Sequence, residues 1–171
     1  PTIAHTTSLR PQLAMVCWAL NEQYDLGLRD DLLLKFALVH DLVEIYAGDT
    51  DSHGNKDMIA SKKEREEEAF YRLKKEYTQF TQIVSMIERY EKKVDLEAIV
   101  VHALDKLIPA VNVHFGELDY FRSRKVTVHD WKKWVLEKVH YEILHPKLKP
   151  LIDESVREVE TNYKEMFYRA S

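Results

Sequence analysis

One cysteine, four glycines and five prolines are all that 171 residues contain. The lone Cys17 has no partner for an internal disulfide. It reads as a small buried apolar residue in a reducing, cytoplasmic setting. Scarce Gly and Pro beside abundant Leu, Glu and Lys exclude a loop-rich chain and point to helices. No apolar run is long enough to span a bilayer and no stretch reads as a signal peptide, so no membrane partner is expected. The net charge is −4 and the two signs alternate along the chain, which leaves no basic face for nucleic acid. Strand-like alternation, internal repeats and linkers are absent too. The chain begins at Pro1 and not at Met, which points to a natural start further upstream. What remains, 45% hydrophobic and 32% charged, suits one globular domain over residues 1–171 with a sizeable core.

The apolar spacing lays out six to seven helices. Residues 1–10 read as irregular, with Pro11 opening a helix over Gln12–Tyr24. Its inner stripe is Leu13, Ala14, Val16, Cys17 and Leu20, and Met15 and Trp18 flank it. Asp30 or Asp31 caps a second helix that runs to Ala47, where Gly48 ends it. A polar loop, residues 48–57, leads to a third helix over Met58–Tyr77, whose Lys62–Glu68 segment reads as a solvated face. A fourth covers Gln82–Lys92 with Ile83, Met86 and Ile87 inward. The fifth starts near Leu96 and is expected to kink at Pro109. Residues 116–125 read as a loop. Thr127 or Asp130 caps a sixth helix through His140, burying Trp131, Trp134, Val135 and Val139. Pro146 and Pro150 precede a last helix over Leu151–Phe167.

Chemistry concentrates in the second helix. His40, Asp41, Glu44 and Asp49 fall within ten residues of an otherwise apolar run. Charge there is costly unless paired or bound to a metal. Helical spacing puts His40 and Glu44 on one face, with Asp41 one position round. The fifth helix repeats the pattern, with His102 and Asp105 three residues apart among Val101, Ala103 and Leu104. Each site also has a plainer reading. The first is a polar stripe on a buried helix, Asp105 is an ion-pair partner of Lys106, Glu44 supports His40, and Asp49 is a loop residue. His53, His114, His129, His140 and His145 carry no spacing signal, and His102 either lines a cavity or supports a ligand carboxylate. Arg10 and Lys106 are candidates for phosphate contact. The Trp131, Trp134 and Tyr141 cluster reads as core or a dimer face.

The His40-Asp41 doublet with a distant Asp105 resembles the metal site of the HD-domain phosphohydrolases. His40-Asp41-x-x-Glu44-x-x-x-Gly48-Asp49, followed later by Asp105-Lys106-Leu107, resembles the branch that contains bacterial 5'-deoxynucleotidases. The resemblance implies an all-α, single-domain bundle of the HD type, with a metal-site core at 5–115 and C-terminal helices at 127–168 packed on it. It implies His40, Asp41 and Asp105 as ligands of one divalent ion (Mn, Co, Mg, Zn or Fe). It implies Glu44 as the group orienting water or substrate and Asp49 as general acid or base at the leaving 5'-oxygen. The activity implied is release of phosphate from (deoxy)nucleoside 5'-monophosphates by metal-activated water, with a homodimer left open as the assembly. Other HD enzymes cleave phosphodiesters or nucleotide pyrophosphates, and a silent nucleotide-binding module is the third reading. The chain departs from the branch at its first His. Ser8-Leu9-Arg10-Pro11 stands where a Glu-His-Ser-like triplet is expected. Either His5 reaches the metal from a loop, or a short segment carrying the His is absent between Arg10 and Gln12; the second is the reading adopted from the sequence.

Overall fold

The computed structural model describes residues 3–50, 55–112 and 120–169, with side chains at 11–50, 55–108 and 120–169. Among them there is no strand and no helix long and apolar enough to cross a membrane. The elements are α1 Ile3–Gln23, α2 Asp30–Val39, α3 Glu44–Ala47, α4 Lys56–Ala60, α5 Lys62–Glu76, α6 Thr81–Lys92 and α7 Leu96–Asn112. They continue with α8 Tyr120–Ser123, α9 Val128–Lys138 and α10 Lys149–Asn162, with short 3-10 turns at Pro146–Leu148 and Lys164–Met166.

The two chemistry-bearing helices lie at the centre. α2 packs on α1, α6 and α7, and α7 also meets α1, α6, α9 and α10. α7 is apolar nearly all round: Ala98, Ile99, Val100, Val101, Ala103, Leu104 and Leu107 are all buried. A helix of that composition goes to the middle of a bundle. Beyond its first turn, the polar groups His102, Asp105 and Lys106 form one narrow strip. A single apolar cluster runs from Leu13 to Phe167 and takes in residues of α9 and α10. At the α6–α7 corner Lys93 is in the left-handed region at φ 48°. Arg89 closes the corner by donating from Nε and Nη2 to the two Asp95 carboxylate oxygens, at 2.9 and 2.6 Å.

Several boundaries differ from those read off the sequence. α1 starts at Ile3 and passes through Pro11, so residues 3–10 are helical and not irregular. Pro11 removes the one bond that its N–H would make to the Thr7 carbonyl, and the bonds of the other turns outweigh that loss. The backbone is helical on both sides of the Arg10–Gln12 junction; the side chains of His5 and Arg10 lie outside the described residues, as do His53 and His114. α2 stops at Val39 and does not reach Ala47. Residues 40–43 form turns closed by bonds to the third residue back, as in Leu42 N–H to Val39 C=O at 3.0 Å, and α3 then begins at Glu44. The expected third helix is broken at Ser61 into α4 and α5, and residues 120–123 form the short α8 inside the expected loop. Pro109, by contrast, does not end α7, which runs on to Asn112 in line with the expectation that the helix continues past it. The last helix ends at Asn162, short of Phe167. In α6 Ile87 is buried and Met86 packs against the core as expected, but Ile83 is 45% exposed, and Val84 and Tyr90 complete the buried stripe.

Candidate metal centre

His40 closes α2 with helical backbone angles and is buried to 6% exposure. Its Nδ1 stands 2.8 Å from the Ala37 carbonyl in the last turn of α2. A carbonyl only accepts, so Nδ1 carries the proton and Nε2 faces the other way. Asp41 Oδ2 lies 2.9 Å from that Nε2, and Asp105 Oδ1 reaches it from α7 at 3.4 Å. The packing of α2 on α7 is what makes the two helices share a site. Among the described residues, His40, Asp41 and Asp105 form the one group of three metal-ligating residues whose donor atoms all lie within 4.8 Å of one another.

The donor set fits a divalent cation. It offers one imidazole nitrogen, with its tautomer fixed from behind by a backbone carbonyl, and two carboxylates. The electrostatics agree. Burial disfavours a charged His40, but hydrogen bonding to Asp105 and Asp41 and the charge of both outweigh it and lift the imidazole to about 10. The pair of carboxylates thus demands positive charge between them. Burial pushes Asp105 upward, yet its hydrogen bond to His40 and the nearby Lys106 ammonium hold it well below the usual carboxylate range. Lys106 Nζ is 2.7 Å from Asp105 Oδ2, and that neighbour keeps the ammonium charged against the cost of burial.

Glu44 opens α3 beside this group but lies outside the three-residue donor set. Burial, then the charges of Asp41 and Asp49, raise its carboxyl to about 7, against the pull of Lys62 and Lys106. Asp49 follows Gly48 on the exit segment, exposed, with its charge felt at Glu44. Gly48 turns the chain with φ 75° and ψ 151°, a region that side-chain-bearing residues rarely enter.

Behind the donor set, the Tyr90 ring meets both His40 and His102 edge-on, each at 6.3 Å between centroids. The Tyr90 hydroxyl stands 3.5 Å from His102 Nδ1, and His102 lies against His140 at 5.1 Å. His140 therefore has a place next to the site that its spacing did not reveal. Trp131 is core, at 1% exposure. Arg65 and Thr50 are the functional candidates that the pattern of charges hid. Arg65 falls in the run read as a solvated face, but it precedes buried Ala69 and Leu73 by four and eight residues, which is an inward register.

No curated protein is significantly similar to this chain. A solved structure from Magnetospirillum magnetotacticum MS-1, described as a predicted metal-dependent phosphohydrolase, shares its fold with a TM-score of 0.72. The identity is 25%, over 94% of this chain and 78% of that one. Residues 12–146, which span the doublet just after α2 and the aspartate on α7, match the model of the HD domain. With the donors placed as that doublet requires, the chain belongs to the HD domain family.

Proposed function

We propose that this protein is a metal-dependent phosphohydrolase that releases phosphate from nucleoside 5'-monophosphates, deoxy forms included. One observation carries the reading: His40 Nε2 and the carboxylates of Asp41 and Asp105 converge from the turn that ends α2 and from α7. The structural neighbour is itself described as a phosphohydrolase, which supports the class of reaction. A divalent ion in this donor set supplies Lewis acidity to phosphate oxygens and acidifies water.

The remaining groups have roles that their positions suit. Lys106, held charged beside Asp105, offers its other N–H bonds to a phosphate oxygen. Glu44, with a carboxyl near 7, exchanges a proton readily at neutral pH and takes one from the attacking water as the new P–O bond forms. Asp49, exposed just after Gly48, gives a proton to the 5'-oxygen as the old P–O bond breaks. Proton return from Glu44 to Asp49 through solvent resets both groups. The two water hydrogens thus end one on phosphate and one on the nucleoside.

Phosphate release tests this. The full chain, supplied in turn with Mn, Co, Mg, Zn and Fe, is assayed against ribo- and deoxynucleoside 5'-monophosphates and against cyclic and bis-phosphorylated nucleotides. The expected result is metal-dependent turnover of the monophosphates, abolished together with metal content in Asp41→Ala. Turnover confined to the cyclic or bis-phosphorylated compounds overturns the proposal in favour of a phosphodiesterase or pyrophosphohydrolase. Thermal stabilisation by nucleotides without turnover under any metal overturns it in favour of a silent binding module.

A further inference from the structure

Among the described residues, the buried polar side chains are His40 and Thr50. The first belongs to the donor set. The second directly follows the exposed Gly48 and Asp49. Thr50 is held by Arg65. The guanidinium donates from Nη2 to Thr50 Oγ1 at 2.7 Å and to the Met58 carbonyl at 2.9 Å, and from Nη1 to the Ala47 carbonyl. Its Nε reaches Ser61 Oγ at 3.4 Å.

The two residues between those anchors are Gly48 and Asp49. One foot of this short arch is the last carbonyl of α3, the other is the Thr50 hydroxyl, and both rest on one planar fork. α5, which carries Arg65, supplies none of the donor set, yet it packs on α3. A guanidinium has five N–H bonds in a fixed plane and can serve several acceptors at once; an ammonium at the same place cannot span them. Gly48 provides the backbone freedom for the turn, and Arg65 removes that freedom again once the chain is folded.

We infer that Arg65 is a positioning residue: by pinning Ala47 and Thr50 it aims the Asp49 carboxyl at the oxygen that leaves. This rests on the reading of Asp49 as the acid for that oxygen. A group held within a fraction of an ångström of its target is worth far more than one on a free loop. The arrangement therefore predicts a loss specific to the protonation step.

The test separates that loss from simple unfolding. The Mn-loaded full chain and its variants Asp49→Asn, Arg65→Gln, Arg65→Lys and Thr50→Val, with the Asp49→Asn/Arg65→Gln double variant, are compared on two substrates. dAMP leaves as a poor alkoxide and needs an acid; p-nitrophenyl phosphate leaves as a good phenolate and does not. Asp49→Asn is expected to lower kcat on dAMP by roughly a hundredfold or more and on p-nitrophenyl phosphate by far less. Arg65→Gln and Arg65→Lys should show the same selectivity at about tenfold or more on dAMP, with metal content unchanged. The double variant should be no slower than Asp49→Asn. Independently of activity, amide hydrogen exchange at residues 48–50 should speed about tenfold in Arg65→Gln while α7 is unchanged. Equal loss on both substrates, additivity with Asp49→Asn, or unchanged exchange at 48–50 overturns the inference alone. An Asp49→Asn variant that fails to discriminate the substrates overturns the acid reading and this inference with it. If the Arg65 variants do not fold, Thr50→Val, which removes one hydroxyl at nearly constant volume, is judged by the same criteria at a smaller selective loss.

Discussion

His102 shows how much one buried side chain on α7 owes to what surrounds it. Burial first, then the ammonium groups of Lys93 and Lys106, drive its imidazole down to about 2; Asp105 pulls the other way and His140 adds to the fall. Tyr90 completes its surroundings. An unfolded histidine titrates near 6.5, so between about 2 and 6.5 the unfolded chain binds a proton that the native one refuses. Stability from this residue is therefore complete above pH 6.5 and falls as the solution is acidified below it. His40 works in the opposite sense and at higher pH, because its pKa is raised to about 10. We expect urea midpoints to fall between pH 6.5 and 4.5 in the parent, and to fall less steeply in His102→Gln, by up to one proton of linkage. An unchanged slope would show that His102 is not buried neutral. Ambiguity about His102 was built into the sequence: three-residue spacing to Asp105 put both on one strip, but nothing local told of Lys93 or His140 arriving from other elements. His40, Asp41 and Asp105 were legible for the opposite reason. Charge inside apolar helical runs is costly wherever it occurs, and that cost can be read without knowing the fold.

Among the elements, caps and turns separate what was legible from what was not. Thr127 and Asp130 form a reciprocal capping box at the start of α9, a signal contained within four residues, and the sequence reading placed the cap there. The break of α2 at Val39 had no such signal. Leu42, Val43 and Ile45 continue an apolar pattern, and the turns at 40–43 arise where the chain packs, not from the residues alone. The start of α1 was missed because Thr and Ser near a proline suggest a loop when judged locally. Two substitutions separate local stability from function. Thr127→Ala loses the cap, at about 1 kcal/mol, which is roughly 2–4 °C in Tm for a chain of this size, and should leave turnover intact. Gly48→Ala meets no atom within 4 Å, so any cost comes from the backbone at φ 75° and not from crowding. That cost is about 1–2 kcal/mol, a similar or slightly larger fall in Tm. On the acid role proposed for Asp49, Gly48→Ala should also slow dAMP hydrolysis by about tenfold or more. Thermal melts and steady-state rates on the same preparations check both, and equal activity in the two variants would detach Gly48 from the chemistry.

For the whole molecule, the donor set is a tie between two central helices. His40 and Asp41 follow α2, Asp105 stands on α7, and between them these two helices touch α1, α6, α9 and α10. Without an ion, the two carboxylates are balanced by a protonated His40 and by Lys106. A divalent ion supplies more charge at the same place and binds the folded arrangement alone, because unfolding separates residues 40 and 105 by a long stretch of chain. Such a ligand stabilises by RT ln(1 + [L]/Kd), about 4 kcal/mol at a thousandfold excess over Kd, or on the order of 8–16 °C in Tm here. Melts of the full chain in EDTA and in saturating Mn should differ by that order. Asp105→Asn should narrow the gap to a small fraction, since it removes the carboxylate that α7 brings to the donor set and leaves Lys106 without that neighbour. Arg65→Gln should keep the whole gap, because α5 brings nothing to the ion. A parent protein whose melting temperature ignores the metal would mean that His40, Asp41 and Asp105 are an ion-paired strip and not a binding site, and the proposed hydrolysis would lose its basis.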